Sequence, residues 1–172
     1  MNRNSSCAKW APSRKKVVPG IIASRLASIG IVFPPPVPPA CNYLPVVVHR
    51  ETAWVSDQVA KVDGELRVFG KVGADLDIAI AREQARTCIL QGLAQLSAAL
   101  GSLDRVERIL EVMGFVVSAP GFGRQPQVID GASERLVDIF GEAGRHARSA
   151  LGISELPRNA PVEIEMVVAR RP

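Results

Sequence analysis

A single α+β domain is the fold class this sequence predicts: a mixed sheet of about six strands with two helices packed on one face. Three observations predict it. The hydrophobic pattern runs βββ-α-β-α-ββ along the chain, switching between a period of 2 and one of 3.6. The length, 172 residues, is that of one ordinary domain, which buries roughly two-thirds of its unfolded surface. Hydrophobic residues make up 47% and charged residues 22%, a globular balance that excludes wholesale disorder.

Residues 1–18 read as a disordered basic tail and 19–172 as the single domain. From Gly20, the side chains of Ile21, Ile22, Leu26 and Ile29 fall near one helical face, and Gly30 supplies a stop. Residues 31–42 form a proline-rich lead-in, Pro34-Pro35-Pro36-Val37-Pro38-Pro39 at its centre. Each proline fixes its own φ and biases its predecessor away from helix, so the run is extended and laid across a surface.

Residues 46–48 and 53–56 read as two strands about a turn at Arg50-Glu51-Thr52. Asp63-Gly64 is a hairpin signal leading into a third strand over 65–69. A long helix follows, capped by Asp75 or Asp77 and ended by Gly101. Ala81, Ala85, Cys88, Ile89, Leu93, Leu96 and Leu100 form its apolar stripe. Cys88 lies on that stripe and is core rather than nucleophile. Residues 106–118 form a strand whose second half is apolar on both parities, hence covered on both faces.

Residues 120–126 are a loop. Its Gly121-Phe122-Gly123 lacks the third glycine of a dinucleotide fingerprint. A second helix spans 132–143, with Leu136, Val137 and Phe140 inward and Gly144 at its end. Two strands near 146–153 and 161–170 close the chain. In the last, Val162, Ile164, Met166 and Val168 face one way, and Glu163, Glu165, Val167 and Ala169 the other. Two helices cover only one face of such a sheet. The other is partly apolar and needs a partner, which predicts a homo-oligomer with a sheet-lined centre.

Charge is unevenly spread. The chain has 21 Lys+Arg and 17 Asp+Glu, net +4. Residues 1–50 hold seven of the basic groups and no acid, which leaves 14 basic against 17 acidic groups in the remainder. Only Trp10 and Phe33 interleave with the basic groups of the first 40 residues, so a solvated tail fits better than a nucleic-acid surface. No run of 18 apolar residues exists to span a membrane. Cys7, Cys41 and Cys88 form no CxxC pair, and His49 and His146 are the only histidines. A zinc site is therefore not expected, and a reducing, cytoplasmic setting is the simpler reading.

No GxSxG, Walker loop, HExxH or EF-hand loop is present. His146, just ahead of Arg148, reads as a structural histidine. The informative stretch runs from Arg148 through Leu156-Pro157 to Glu163. An arginine near the start of one strand and a glutamate on its hairpin partner share a rim. The guanidinium is a flat, permanent cation suited to gripping a carboxylate, and the carboxylate can orient water or shuttle a proton. The plain alternative is a surface ion pair worth under about 1 kcal/mol.

The order and spacing of Ala147-Arg148-Ser149, Leu156-Pro157 and Val162-Glu163-Ile164-Glu165 resemble the C-terminal signature of the YjgF family, the reactive intermediate deaminases (RidA), also called L-PSP endoribonucleases. Ser56-Asp57-Gln58 matches the family's Ser-Gly-Gln, with Tyr43 at the family's spacing before it. The proline-rich lead-in, Gly70-Lys71-Val72-Gly73, Gly131-Ala132-Ser133 and Gly144-Arg145-His146 mark a divergent branch.

The resemblance implies a chorismate-mutase-like fold (βαββαβ type), assembled as a homotrimer around a central barrel with pockets between subunits. It implies hydrolysis of 2-aminoacrylate-type enamines and imines to 2-keto acids and ammonia. Arg148 would hold the substrate carboxylate and Glu163 the water, while Tyr43, Ser56, Phe122 and Ala150 would line the pocket. No metal or organic cofactor is implied, because the imine carbon is already electrophilic. Three departures stand out: Asp57 for the family's glycine, Ala150 where close RidA relatives carry cysteine, and Asp130 where asparagine is frequent. Two other readings follow. One is a non-catalytic trimer that binds a small carboxylate. The other is the ribonuclease or translation-inhibitor activity of the older family name, against which the acidic core and scarce aromatics argue.

Overall fold

The computed structural model describes residues 20–36 and 42–172. The basic tail, Cys7, Cys41 and the second half of the proline run lie outside the described residues. Helix α1 (Ile21–Ser28) buries Leu26 and ends before Gly30, whose φ is +68°. Its start is pinned to the body of the domain by a bond from the Ile22 amide to Asp104 Oδ1 at 2.9 Å.

Strands β1 (Val46–His49) and β2 (Thr52–Val59) form a hairpin about Arg50, which takes a positive φ of 52°. The Asp63-Gly64 turn also forms, with positive φ at both residues, but it joins only the short strands β3 (Lys61–Val62) and β4 (Glu65–Leu66). This ribbon stands apart from the main sheet, so the third strand expected over 65–69 is not part of it. The chain is drawn away instead to the end of β5 (Val106–Val117). There the Val72 amide bonds the Val117 carbonyl at 2.8 Å, and the Ala119 amide bonds the Val72 carbonyl at 3.0 Å.

The long helix α2 (Ile78–Leu100) starts at Asp77, whose carboxylate accepts from the Ile80 amide, and ends at Gly101 with φ 81°. Its stripe is buried as expected, Cys88 included. Burial, with the Glu163 charge nearby, pushes the Cys88 thiol far above its ordinary range, so it is inert as a nucleophile. Helix α3 (Gln125–Phe140) begins seven residues before the expected 132, because Pro126 sits in its first turn, where no amide bond is lost. Strands β6 (Ala147–Ile153) and β7 (Val162–Arg170) complete the chain.

The main sheet has five strands in the order β1-β2-β7-β5-β6. All neighbours are antiparallel except β5 and β6, which are parallel. Helix α2 packs on β2 and β7, and α3 on β5 and β6, both on one face. Val55, Val112, Val116, Val162, Ile164, Met166 and Val168 fill the space beneath them. The opposite face carries Trp54, Met113, Glu163, Glu165 and Val167, with Trp54 45% and Val47 46% exposed. A shallow cleft of about 210 Å³ opens there among Val47, Trp54, Glu111, Met113, Glu165 and Val167.

Helices α2 and α3 cross closely at Gly131, where a Cβ would lie 2.5 Å from the Arg82 carbonyl oxygen. Because the obstacle is backbone, it cannot swing aside. Alanine gains about 1 kcal/mol of helix propensity over glycine, but forcing the helices apart costs about 1–3 kcal/mol. Gly131→Ala is therefore expected to lower stability by about 1 kcal/mol, measurable by urea denaturation.

Candidate functional site

Arg148 stands one residue inside β6, paired with Val112 of β5. Its side chain lies on the helix face. From Nη1 it donates to Asp130 Oδ1 at 2.8 Å and to Ser133 Oγ at 3.1 Å, both one turn apart on α3. The chain thus supplies a carboxylate to this guanidinium from within. Asp130 is also 3.8 Å from Arg82 of α2, and Arg82 holds both oxygens of Glu134 at 2.7 Å. Arg86 reaches the same Glu134 at 3.2 Å. The hydrogen bond from Arg82 chiefly, with help from Arg86, keeps the Glu134 carboxyl below the usual range. This ionic lattice ties α2, α3 and the edge strand together while leaving a quarter of the Arg148 side chain exposed.

Glu163 is elsewhere. Strands β6 and β7 are not hairpin partners, since β5 lies between them, so Arg148 and Glu163 share no rim within one chain. Strand spacing and rise separate their Cα atoms by roughly 14 Å, and the side chains leave opposite faces. Glu163 is 7% exposed, between Val59 and Phe115 in register. Burial first, then a hydrogen bond with Asp57 and the charges of Asp57 and Glu165, raise its pKa to about 8. Glu165 is raised too, by burial and by Asp57 and Glu111. Asp57 therefore points toward Glu163, not toward Arg148.

The remaining residues fall into separate groups. Ser56 follows Val55 at the bulge in β2. Its hydroxyl donates to the Leu44 carbonyl at 2.8 Å, holding the half-exposed Tyr43 segment beside it. One transverse row of paired residues runs Val46, Val55, Met166, Val112, Arg148. The row ends at Val46, three residues after Tyr43, and Ser56 adjoins its Val55, so the Tyr43–Ser56 rim lies three to four strand spacings, roughly 14–19 Å, across the sheet from Arg148. Ala150 lies on the Arg148 face, packed against the core. Phe122 lies beyond the C-terminal end of β5, over Gly73 and 5.5 Å from the Arg124 guanidinium. The Ser118 amide bonds Ile153 in that region, at the far end of β6 from Arg148.

Two partners escape the sequence reading. Asp130 and Ser133 flank Arg148, and the available signal was their i, i+3 spacing on a helix that also carries Glu134. Among the described residues no group of three or more His, Cys, Asp or Glu is arranged to hold a metal ion.

A family described as "YjgF/chorismate mutase-like, putative endoribonuclease" matches residues 23–168. The chain belongs to this family. It is 40% identical over 153 residues to protein TCP17 of Trypanosoma cruzi, covering 88% of this chain and 96% of that one. The crystal structure of Atu1372 from Agrobacterium tumefaciens superposes with a TM-score of 0.81 at 40% identity, over 87% of this chain and 92% of that one. RidA from the Antarctic bacterium Psychrobacter sp. PAMC 21119 shares the fold at 23% identity with a TM-score of 0.54, over 78% of this chain and 93% of that one. The family's α+β architecture is thus present with both helices on one face of the sheet. Among the described residues no helix is long and apolar enough to cross a membrane.

Proposed function

We propose that this protein hydrolyses small carboxylate-bearing enamines and imines to 2-keto acids and ammonia, in pockets between the copies of a homotrimer. The observation that carries the reading is the transverse row with Arg148 at one end and the Tyr43–Ser56 rim beside the other. Among the described residues β1 pairs only with β2 and β6 only with β5, so both sheet edges are open. A head-to-tail ring that abuts the β6 edge of one copy with the β1–β2 edge of the next unites the two ends. It also gives the partly apolar open face a common interior.

Glu163 stands with the rim through Asp57, so anchor and acid come from different copies. The Arg148 guanidinium holds the substrate carboxylate. A Glu163 carboxyl that keeps its proton at neutral pH can give it to the enamine carbon, and the resulting carboxylate can take one from the attacking water. Water adds to the imine carbon and ammonia leaves. Acceleration of 2-iminobutyrate hydrolysis by the purified native protein is the test, and no acceleration overturns the reading.

Asp130 sets the affinity. A substrate carboxylate at Arg148 must compete with an internal one bound at 2.8 Å. A charge-assisted bond of this kind is worth about 1.5–3 kcal/mol, whereas a neutral amide holds the guanidinium less tightly. Asp130→Asn is expected to lower KM by about tenfold with kcat little changed, read from steady-state kinetics.

A further inference from the structure

Ser133, already a partner of Arg148, has a second one. Its Oγ lies 3.1 Å from His146 Nε2, and His146 Nδ1 lies 2.6 Å from the Gly144 carbonyl oxygen. These contacts set the proton order. A carbonyl only accepts, so Nδ1 carries the ring proton and Nε2 presents a lone pair. Arg148 Nη1 only donates, so it occupies a lone pair of Ser133 Oγ at 3.1 Å. The hydroxyl proton is then directed to Nε2. Burial, with the Arg148 charge beyond it, keeps His146 below its ordinary range, which favours the neutral ring able to accept the hydroxyl proton. A hydroxyl, a neutral imidazole aligned on it and a carbonyl that fixes the tautomer are the parts of an activated nucleophile.

A cleft of about 380 Å³ opens beside the imidazole, lined by Arg108, Ile109, Leu110, Arg145, His146 and Ala147. Arg145 is paired with Glu142 at 3.0 Å, and Arg108 donates to the Glu142 carbonyl at 3.4 Å. Two guanidiniums, of Arg108 and Arg145, line the cleft, and a third, of Arg148, bonds the Ser133 hydroxyl, against the carboxylates of Glu142 and Asp130. Such a surround favours an anionic substrate.

We infer that Ser133 is a nucleophile with His146 as its base, and that this second site hydrolyses small esters carrying a negative charge. Ser133 Oγ bonds to the acyl carbon while its proton passes to His146 Nε2. The oxyanion forms within reach of the Arg148 guanidinium. The ester C–O bond breaks, and the alcohol leaves with the proton from Nε2. Water then gives a proton to Nε2 and attacks the acyl carbon, so acid is released and Ser133 regains its proton. The net reaction is ester plus water to acid plus alcohol. It does not depend on the imine reading, although both employ Arg148.

The test treats the native full-length protein with a fluorophosphonate probe and maps the adduct by peptide mass spectrometry. The expected result is an adduct on Ser133, formed at least tenfold more slowly in His146→Gln and absent in Ser133→Ala. Turnover of 4-nitrophenyl hemisuccinate should exceed that of 4-nitrophenyl acetate by about tenfold, the effect of one favourable charge contact. No adduct on Ser133 of the native chain overturns the proposal without reliance on any variant's folding. So does an adduct rate indifferent to His146→Gln in a variant whose thermal melt matches the native one.

Discussion

Arg148→Ala and Glu163→Gln are each expected to lower kcat/KM for 2-iminobutyrate by at least about 100-fold, and mixing the two variants is expected to restore activity. Losing a bidentate carboxylate anchor or a proton donor each removes about 3 kcal/mol of transition-state stabilisation. Restoration tests the geometry. Within one chain the two groups lie on opposite faces of the sheet, roughly 14 Å apart by strand spacing. In a head-to-tail ring every pocket takes Arg148 from one copy and Glu163 from the next. A pocket is intact when a Glu163→Gln copy supplies the arginine and an Arg148→Ala copy supplies the acid. Random co-assembly from a denatured and refolded equimolar mixture makes about a quarter of the pockets intact. Recovery to about a quarter of native activity supports a site shared between copies. If each variant is inactive and the mixture stays inactive although mass spectrometry shows mixed trimers, both groups act within one copy and the shared-pocket assignment fails.

The parts of this fold that were legible are those whose signals are local. Helix α2 is readable almost to the residue, because Asp77 can cap and Gly101 takes a left-handed φ of 81°, and both signals lie in the residue itself rather than in distant partners. The alternation in β7 is readable because the sheet has one covered face. Strand neighbours are a different matter. Consecutive strands pair in roughly two-thirds of cases, so a β6–β7 hairpin is the default expectation. Here β5, α3 and β6 form a strand–helix–strand unit, whose crossover sets β6 parallel beside β5 and leaves β7 for the other side. That arrangement follows from how α3 packs, not from the residues of the β6–β7 loop. It also moves the two most recognisable side chains of the candidate site apart.

The same distinction governs the site. The type and position of Arg148 and Glu163 are visible in sequence, but their partners are not. Asp57 and Glu163 are distant in sequence and meet only because β2 pairs with β7 across a bulge. Asp130 meets Arg148 because α3 lies over β6. A carboxylate facing a cation and a carboxylate facing another acid look identical along the chain, yet burial beside Asp57 raises the pKa of Glu163 to about 8.

That protonation leaves a signature in stability. Glu163 has a folded pKa of about 8, against about 4.5 for the free side chain. Between those values the folded chain binds a proton that the unfolded chain has released, so stability present in full below pH 4.5 is lost as pH rises toward 8. Above 8 the ionised carboxylate faces the charges of Asp57 and Glu165. Glutamine keeps an N–H donor for Asp57 and never ionises. Glu163→Gln is therefore expected to match the native protein near pH 4.5 and to be more stable at pH 8.5, by about 2 kcal/mol once solvent screening is allowed for. For a chain of this size that is a rise of about 4–8 °C in Tm. Calorimetric melts of both proteins at pH 4.5, 6.5 and 8.5 read the trend directly. A difference that stays constant across the three values would mean that Glu163 is ionised throughout, held by a cation from another copy. The proton it contributes to the enamine carbon would then have to come from a different group.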